Sequence, residues 1–238
     1  MKTASIESAS ANPWLGLPEQ APFVLPDDVP YLEDYSKNAT DTAYRLHLPP
    51  LPFQGRPDAP VVLLGLNPGY AESDEIWHNT PYFRETNFRN YRHDATLPYP
   101  LFFLDPEIEG GATEAGQRWW HRRLKHLRKQ YDDRLLAQAI LSVQYAPYRS
   151  TSYKPTKQCL DSQSYGFALV KQAVERGALI IALRSVRLWQ DAVGELKDYE
   201  RFYQLSSPLN PVLSKQQLGE KGYQELIAEL EKVRQQAV

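Results

Sequence analysis

One cysteine, Cys159, occurs in 238 residues. That excludes an internal disulfide framework and any cysteine-based metal or iron–sulfur centre. Neither sign of charge dominates: 27 Lys and Arg face 29 Asp and Glu. General attraction to a polyanion is excluded, whereas a local basic surface is not. No apolar run approaches the roughly 18 residues of a membrane span, and the N-terminus lacks the apolar core of a signal peptide. A soluble, cytoplasmic monomer without a membrane partner is expected. The histidines, His47, His78, His93, His121 and His126, show no metal-ligand spacing. The last two stand five apart, which is wrong for one helical face. No metal and no cofactor are expected.

Proline and aromatic residues are plentiful. Residues 1–60 hold Pro13, Pro18, Pro22, Pro26, Pro30, Pro49, Pro50, Pro52, Pro57 and Pro60, a density that keeps a segment out of helix interiors and sheet centres. The first dozen residues, rich in Ser and Ala, are expected to be disordered. Trp14, Leu15, Phe23, Val24, Tyr31, Leu32, Tyr35 and Tyr44 then make the segment too apolar for a free linker. It reads as an arm packed over a domain spanning 61–238.

That domain is organised around Val61–Tyr70, VVLLGLNPGY. Four apolar residues without alternation predict a strand buried on both faces, as in a parallel sheet. Gly65 to Gly69 ends it and presents Asn67 at the carboxyl end of the strand, where open α/β sheets bind ligands. Residues 71–93 read as a long polar loop, a length that is usually functional. Phe102, Phe103 and Leu104 read as core plugs. Trp119, Leu124, Leu127 and Tyr131 recur at helical spacing across 113–133, with Arg122, Arg123, Lys125, Arg128 and Lys129 around them. This helix reads either as a nucleic-acid contact or as a core helix with a solvated basic face. Strands at 139–145, 178–183 and 199–205 alternate with helices from Thr156 to Arg176, after Arg184, and at 214–236. The pattern predicts an α/β fold: a three-layer α/β/α sandwich around a four-stranded parallel sheet.

Three segments together resemble the uracil-DNA glycosylase superfamily, in particular its single-strand-selective monofunctional and mismatch-specific branches. Gly65-Leu66-Asn67-Pro68-Gly69 is similar to the G-x-N-P-G motif of those branches. Ser207-Pro208-Leu209, followed by Asn210-Pro211, is similar to the second motif, H-P-S-P-[LR]. Gln144 ends a strand where the single-strand-selective branch carries a base-reading Asn. The N-terminal 60 residues have no counterpart in the resemblance.

The resemblance implies a DNA partner and hydrolysis of an N-glycosidic bond. Such an enzyme holds a water under the sugar and stabilises charge on the departing base, with the base extruded into a fitted pocket. Asn67 would position the water through its amide oxygen, although an amide is no general base near neutral pH. Ser207 would grip a backbone phosphate, as would Ser185. Gly65, Leu66, Gly69, Tyr70, Tyr82 and Gln144 would surround the base. Gly69 stands where the uracil-specific branch places a blocking Tyr, so 5-substituted pyrimidines would have room unless Tyr70 refills it. Tyr82 would stack on the base, and the Gln144 amide would read its edge one methylene further out than Asn. Pro68, Pro208, Leu209 and Asn210 would face DNA, with Leu209 as the wedge filling the vacated stack. The departure is Leu205, standing where the second motif begins with a hydrogen-bonding His. His78 is a candidate stand-in, otherwise a surface histidine; Asp74 and Glu75 read as solvated loop acids. The expected function is a monofunctional glycosylase for a uracil-like or 5-modified pyrimidine. Repair and phage defence against hypermodified cytosine are both compatible. The alternatives are a non-catalytic nucleic-acid-binding relative, or a pocket for free nucleotides.

Overall fold

The structure, a computed structural model, describes residues 11–32, 44–154 and 159–236. Ten of the dozen residues expected to be disordered, Tyr35 of the expected arm and Thr156 of the expected helix start lie outside them. Asn12, the last of that dozen, is instead held in place, its Nδ2 donating to Tyr91 O at 2.7 Å.

Strands β2 (Val61–Gly65), β3 (Ile140–Gln144), β4 (Leu179–Ala182) and β5 (Phe202–Gln204) follow one another in parallel pairs, while β1 (Phe53–Gln54) joins β3 antiparallel at the edge. The order is β1-β3-β2-β4-β5. The expected wholly parallel four-stranded sheet is thus corrected to a mixed sheet of five. Proline bars a segment from sheet centres, but an edge strand tolerates it. The pairing also extends beyond β1: Gln144 N donates to Pro52 O (2.8 Å), Leu51 N to Pro147 O (2.9 Å) and Arg45 N to Arg149 O (2.8 Å). A bridge from Tyr44 to Ser150 closes this ribbon.

The uninterrupted apolar run of β2 is explained by burial on both faces. Val62 and Leu64 join a cluster with Trp14, Phe23, Leu25, Tyr148 and Trp189. Val61 and Leu63 join another with Phe102, Phe103, Trp120, Leu205 and Leu226. Side chains of this size each contribute about 1.5–3 kcal/mol on full burial. Trp14 and Phe23 bring the proline-rich segment into the first cluster, whereas Leu15 is exposed.

The expected loop at 71–93 is instead two helices, α1 (Glu72–Trp77) and α2 (Pro81–Tyr91). Pro81 opens α2 at a position that needs no N–H donor. Its buried face carries Phe83, Asn87, Asn90 and Tyr91. Two asparagines among the four hide the apolar period. Asn90 earns its place by pairing with β1: its Nδ2 donates to Phe53 O (2.8 Å), and its Oδ1 accepts from Gly55 N (3.3 Å).

The expected continuous helix at 113–133 is also corrected. Helix α3 (Ala115–Arg123) stops at Leu124, a 3-10 turn covers Leu127–Lys129, and α4 (Asp133–Ala139) runs into β3. Asp132 restarts the helix, its Oδ1 accepting from Leu135 N at 2.8 Å. The remaining helices are α5 (Gln163–Glu175), α6 (Val186–Ala192) and α7 (Lys215–Gln236). A non-helical Gly219 (φ 77°) breaks the first turn of α7. Among the described residues, no helix is long and apolar enough to cross a membrane.

Candidate functional site

A cavity of about 370 Å³ opens at the carboxyl ends of β2 and β3, near the lower bound of roughly 300 Å³ for small-molecule sites. Gly65, Leu66, Asn67, Pro68, Gly69, Tyr70 and Gln144 all line it. These sequence-predicted residues are brought together because β2 and β3 are register partners, with Gly65 opposite Gln144.

Asn67 is held by its amide nitrogen, which donates to Pro68 O at 2.9 Å and to Ser150 Oγ at 3.1 Å. The amide oxygen is therefore turned the other way. Gly65 makes room for the Gln144 side chain: a Cβ there would lie 2.1 Å from Gln144 Oε1. Gly69 is different, since a Cβ there would meet open space. Tyr70 is held under the Arg45 guanidinium, 4.4 Å from its ring centroid.

Several predicted residues lie elsewhere. Tyr82 is half-buried, with its hydroxyl donating to Asp105 at 2.9 Å and its ring against Phe83. The aromatic residues that do line the cavity with Tyr70 are Phe103, Trp119 and Trp120. Phe103, read from sequence as a core plug, serves both purposes: it is buried in the second cluster and faces the cavity. Gly116 permits this approach, because a Cβ there would sit 2.4 Å from the Phe103 ring. Ser185, Ser207, Pro208, Leu209 and Asn210 are outside the lining. Ser185 follows the lining residue Arg184 in a left-handed conformation (φ 61°) unusual for a non-glycine. Leu209 projects from its loop with 93% of its surface exposed. Gln217 clamps that loop, its Nε2 donating to Asn210 O (3.0 Å) and its Oε1 accepting from Val212 N (3.0 Å). Leu205 is buried in the second cluster and offers no donor.

Beneath the cavity lies a charged network that the sequence reading placed at the surface. His78 is fully buried and Asp74 nearly so. Arg149 donates to His78 Nδ1 at 2.7 Å and to Asp74 Oδ2 at 3.1 Å, and His78 Nε2 donates to Glu114 Oε1 at 3.1 Å. Burial, then the Arg149 charge, hold the His78 imidazole below its ordinary pKa, against the pull of Glu114 and Asp74. Burial raises Glu114, but the His78 bond and the backbone N–H groups of Gly116 and Gln117 outweigh it and leave a lowered value. The correction has a clear cause: α1 turns Asp74 and His78, four apart, inward onto Arg149. Glu75 faces outward and accepts from His47 Nε2 at 2.8 Å. Asp74, His78 and Glu114 converge closely enough to hold a metal ion. Nδ1 of His78 accepts from Arg149, which leaves the ring proton on Nε2. That nitrogen faces Glu114 Oε1 at 3.1 Å and Asp74 Oδ1 at 3.6 Å, so its N–H already bridges the two carboxylates.

Sequence reasoning missed Gln54. It lines the cavity from β1, only 4% exposed, with Nε2 buried and unpaired. Its Cα partner in β3 is Ser142, whose Oγ is also unpaired, and Gln144 Oε1 two residues on is a third such atom. Side chains at 54, 142 and 144 share one face of the sheet. Three polar groups without a protein partner among the described residues thus lie along one file beside the cavity, where native interiors usually pair them. The signal available in sequence was a Gln among the prolines of 49–60.

Compared with protein-family models, curated proteins and solved structures, the chain matches none.

Proposed function

We propose that this chain is a monofunctional DNA glycosylase of the uracil-DNA glycosylase superfamily, releasing a uracil-like or 5-modified pyrimidine from DNA in the cytoplasm. The observation that carries the reading is the convergence of Asn67, Gln144 and the glycines 65 and 69 on one cavity at the carboxyl edge of the sheet. Asn67, oriented through Ser150, supplies an amide oxygen to position water beneath a sugar. Gln144 and Gln54 supply amides for a base edge. Phe103, in place of Tyr82, offers a ring to stack on the base, an interaction worth about 1–3 kcal/mol. The open space at Gly69 accommodates a 5-substituent. Leu209 reaches outward as a wedge into the stack.

Leu205 favours a second reading. Buried among apolar residues, it gives no hydrogen bond to an anionic leaving base. A non-catalytic relative that binds a flipped base would need none.

Base release from single- and double-stranded oligonucleotides decides between them. The panel carries uracil, hydroxymethyluracil, hydroxymethylcytosine, its glucosylated form and mismatched thymine, with abasic-site cleavage as readout. Turnover on any substrate supports the enzyme. Binding without turnover across the panel supports the second reading.

A further inference from the structure

Beside the cavity a cation is buried without a counterion among the described residues. Arg123 ends α3 with only 6% of its surface exposed. Its Nε is sealed off without an acceptor, and its guanidinium lies 4.2 Å from the Trp119 ring centroid. Burial, and then the like charges of Arg122 and Arg184, push its pKa down to about 10. A solvated basic face explains Arg118, Arg122 and Lys125, all exposed; it does not explain Arg123. A buried ion lacking its partner is strongly unfavourable, so the arrangement calls for an anion. Guanidinium groups fit phosphate best, through paired N–H donors.

The surroundings place that anion. Trp119 and Arg184 line the cavity. Leu213 N donates to Arg123 O at 2.9 Å, and Ser206 N to Gln217 O at 3.0 Å, which fastens the Ser207 loop against the end of α3. We propose that Arg123, with Arg122 and Arg184, forms a phosphate-binding site at the cavity mouth, taking a backbone phosphate of the strand whose base enters the cavity. The source of the phosphate rests on the glycosylase reading; a free nucleotide would offer the same tetrahedral chemistry.

Arg123→Met keeps the length of the side chain and removes its charge. Thermal melting with and without pyrophosphate, and anisotropy of a labelled single-stranded oligonucleotide against salt, test the site. Without ligand the variant is expected to melt about 2–4 °C higher, because the unpaired charge is gone. Pyrophosphate is expected to raise the melting temperature of the wild type and not of the variant. Oligonucleotide affinity at low salt is expected to fall tenfold or more, with the log–log salt slope shallower by about one. Arg184→Gln, at a half-buried position, tests the same site should Arg123→Met not fold. Both variants binding both probes like the wild type would overturn the site. If base release were intact in those variants, the glycosylase reading would stand without it. Pyrophosphate and nucleoside monophosphate binding that depends on Arg123, with no oligonucleotide binding, would keep the phosphate site and assign it to free nucleotides.

Discussion

Gln144 lies across Gly65 so closely that one added carbon on the glycine would occupy the place of its amide oxygen, 2.1 Å away. The neighbour is the far end of a flexible side chain, so Gly65→Ala is expected to fold, with stability changed by no more than about 1 kcal/mol. Gln144 must swing aside to make room. Base release is expected to fall at least tenfold and discrimination among bases to weaken; melting curves beside release assays on the substrate panel check both halves.

Asn67 and Ser150 form a second couple. On the glycosylase reading, in which Asn67 positions water and does not hold the strand, Asn67→Ala is expected to abolish base release and leave DNA affinity within about tenfold. Ser150→Ala frees the Asn67 amide to rotate, and misplacement of a reacting group by about 1 Å can cost 10²-fold. Single-turnover rates are expected to fall between those limits, with oligonucleotide affinity unchanged. Undiminished release by Asn67→Ala would remove the residue from the mechanism.

Gln54 separates stability from recognition. Gln54→Leu takes an unpaired amide out of a buried position, where such a group costs about 1–3 kcal/mol. The variant is expected to unfold at higher urea concentration than the wild type and to bind free pyrimidine bases more weakly. Equal affinity for free uracil and cytosine in both proteins would show that Gln54 does not touch the base.

His78 makes stability depend on pH near neutrality. Its folded pKa lies below the ordinary value of about 6.5, so around that value the unfolded chain binds more protons than the folded one. Stability is therefore full above about pH 6.5 and is lost as the pH falls. Burial lowers His93 and His121 in the same direction, so the comparison must be made against His78→Gln. Urea midpoints between about pH 7.5 and about pH 5.5 are expected to drop in the wild type and to drop less in the variant.

What the sequence disclosed follows from which signals are local. The β2 run and its Gly-bounded turn need no distant partner to be read, and Gln144 was found because β3, apolar but for Ser142, ends at the corresponding place. Leu209 was chosen from motif position with a buried place left open, and it is 93% exposed. The helix at 81–91 was concealed because its inward face is half asparagine, and the Asn90 amide makes sense only against β1. His78 and Asp74 were misplaced for a related reason. Polar residues are read as solvated unless a partner is visible, and their partner Arg149 stands over seventy positions away along the chain. Tyr82 was chosen from motif position, whereas Phe103 reaches the cavity through a contact that depends on Gly116 in another element.

The ribbon from Tyr44 to Gln54 gives the proline-rich arm a protective role. Alongside β3 it occupies hydrogen-bonding positions that would otherwise form a bare sheet edge, a template for joining other chains. A form of the protein shortened to begin at Val61 would keep the Asn67 motif and still lose Gln54, the backbone partners of Gln144 and Arg149, and the cover of that edge. Its failure would be self-association, and adding the missing segment back as a separate peptide would be expected to restore solubility before any activity.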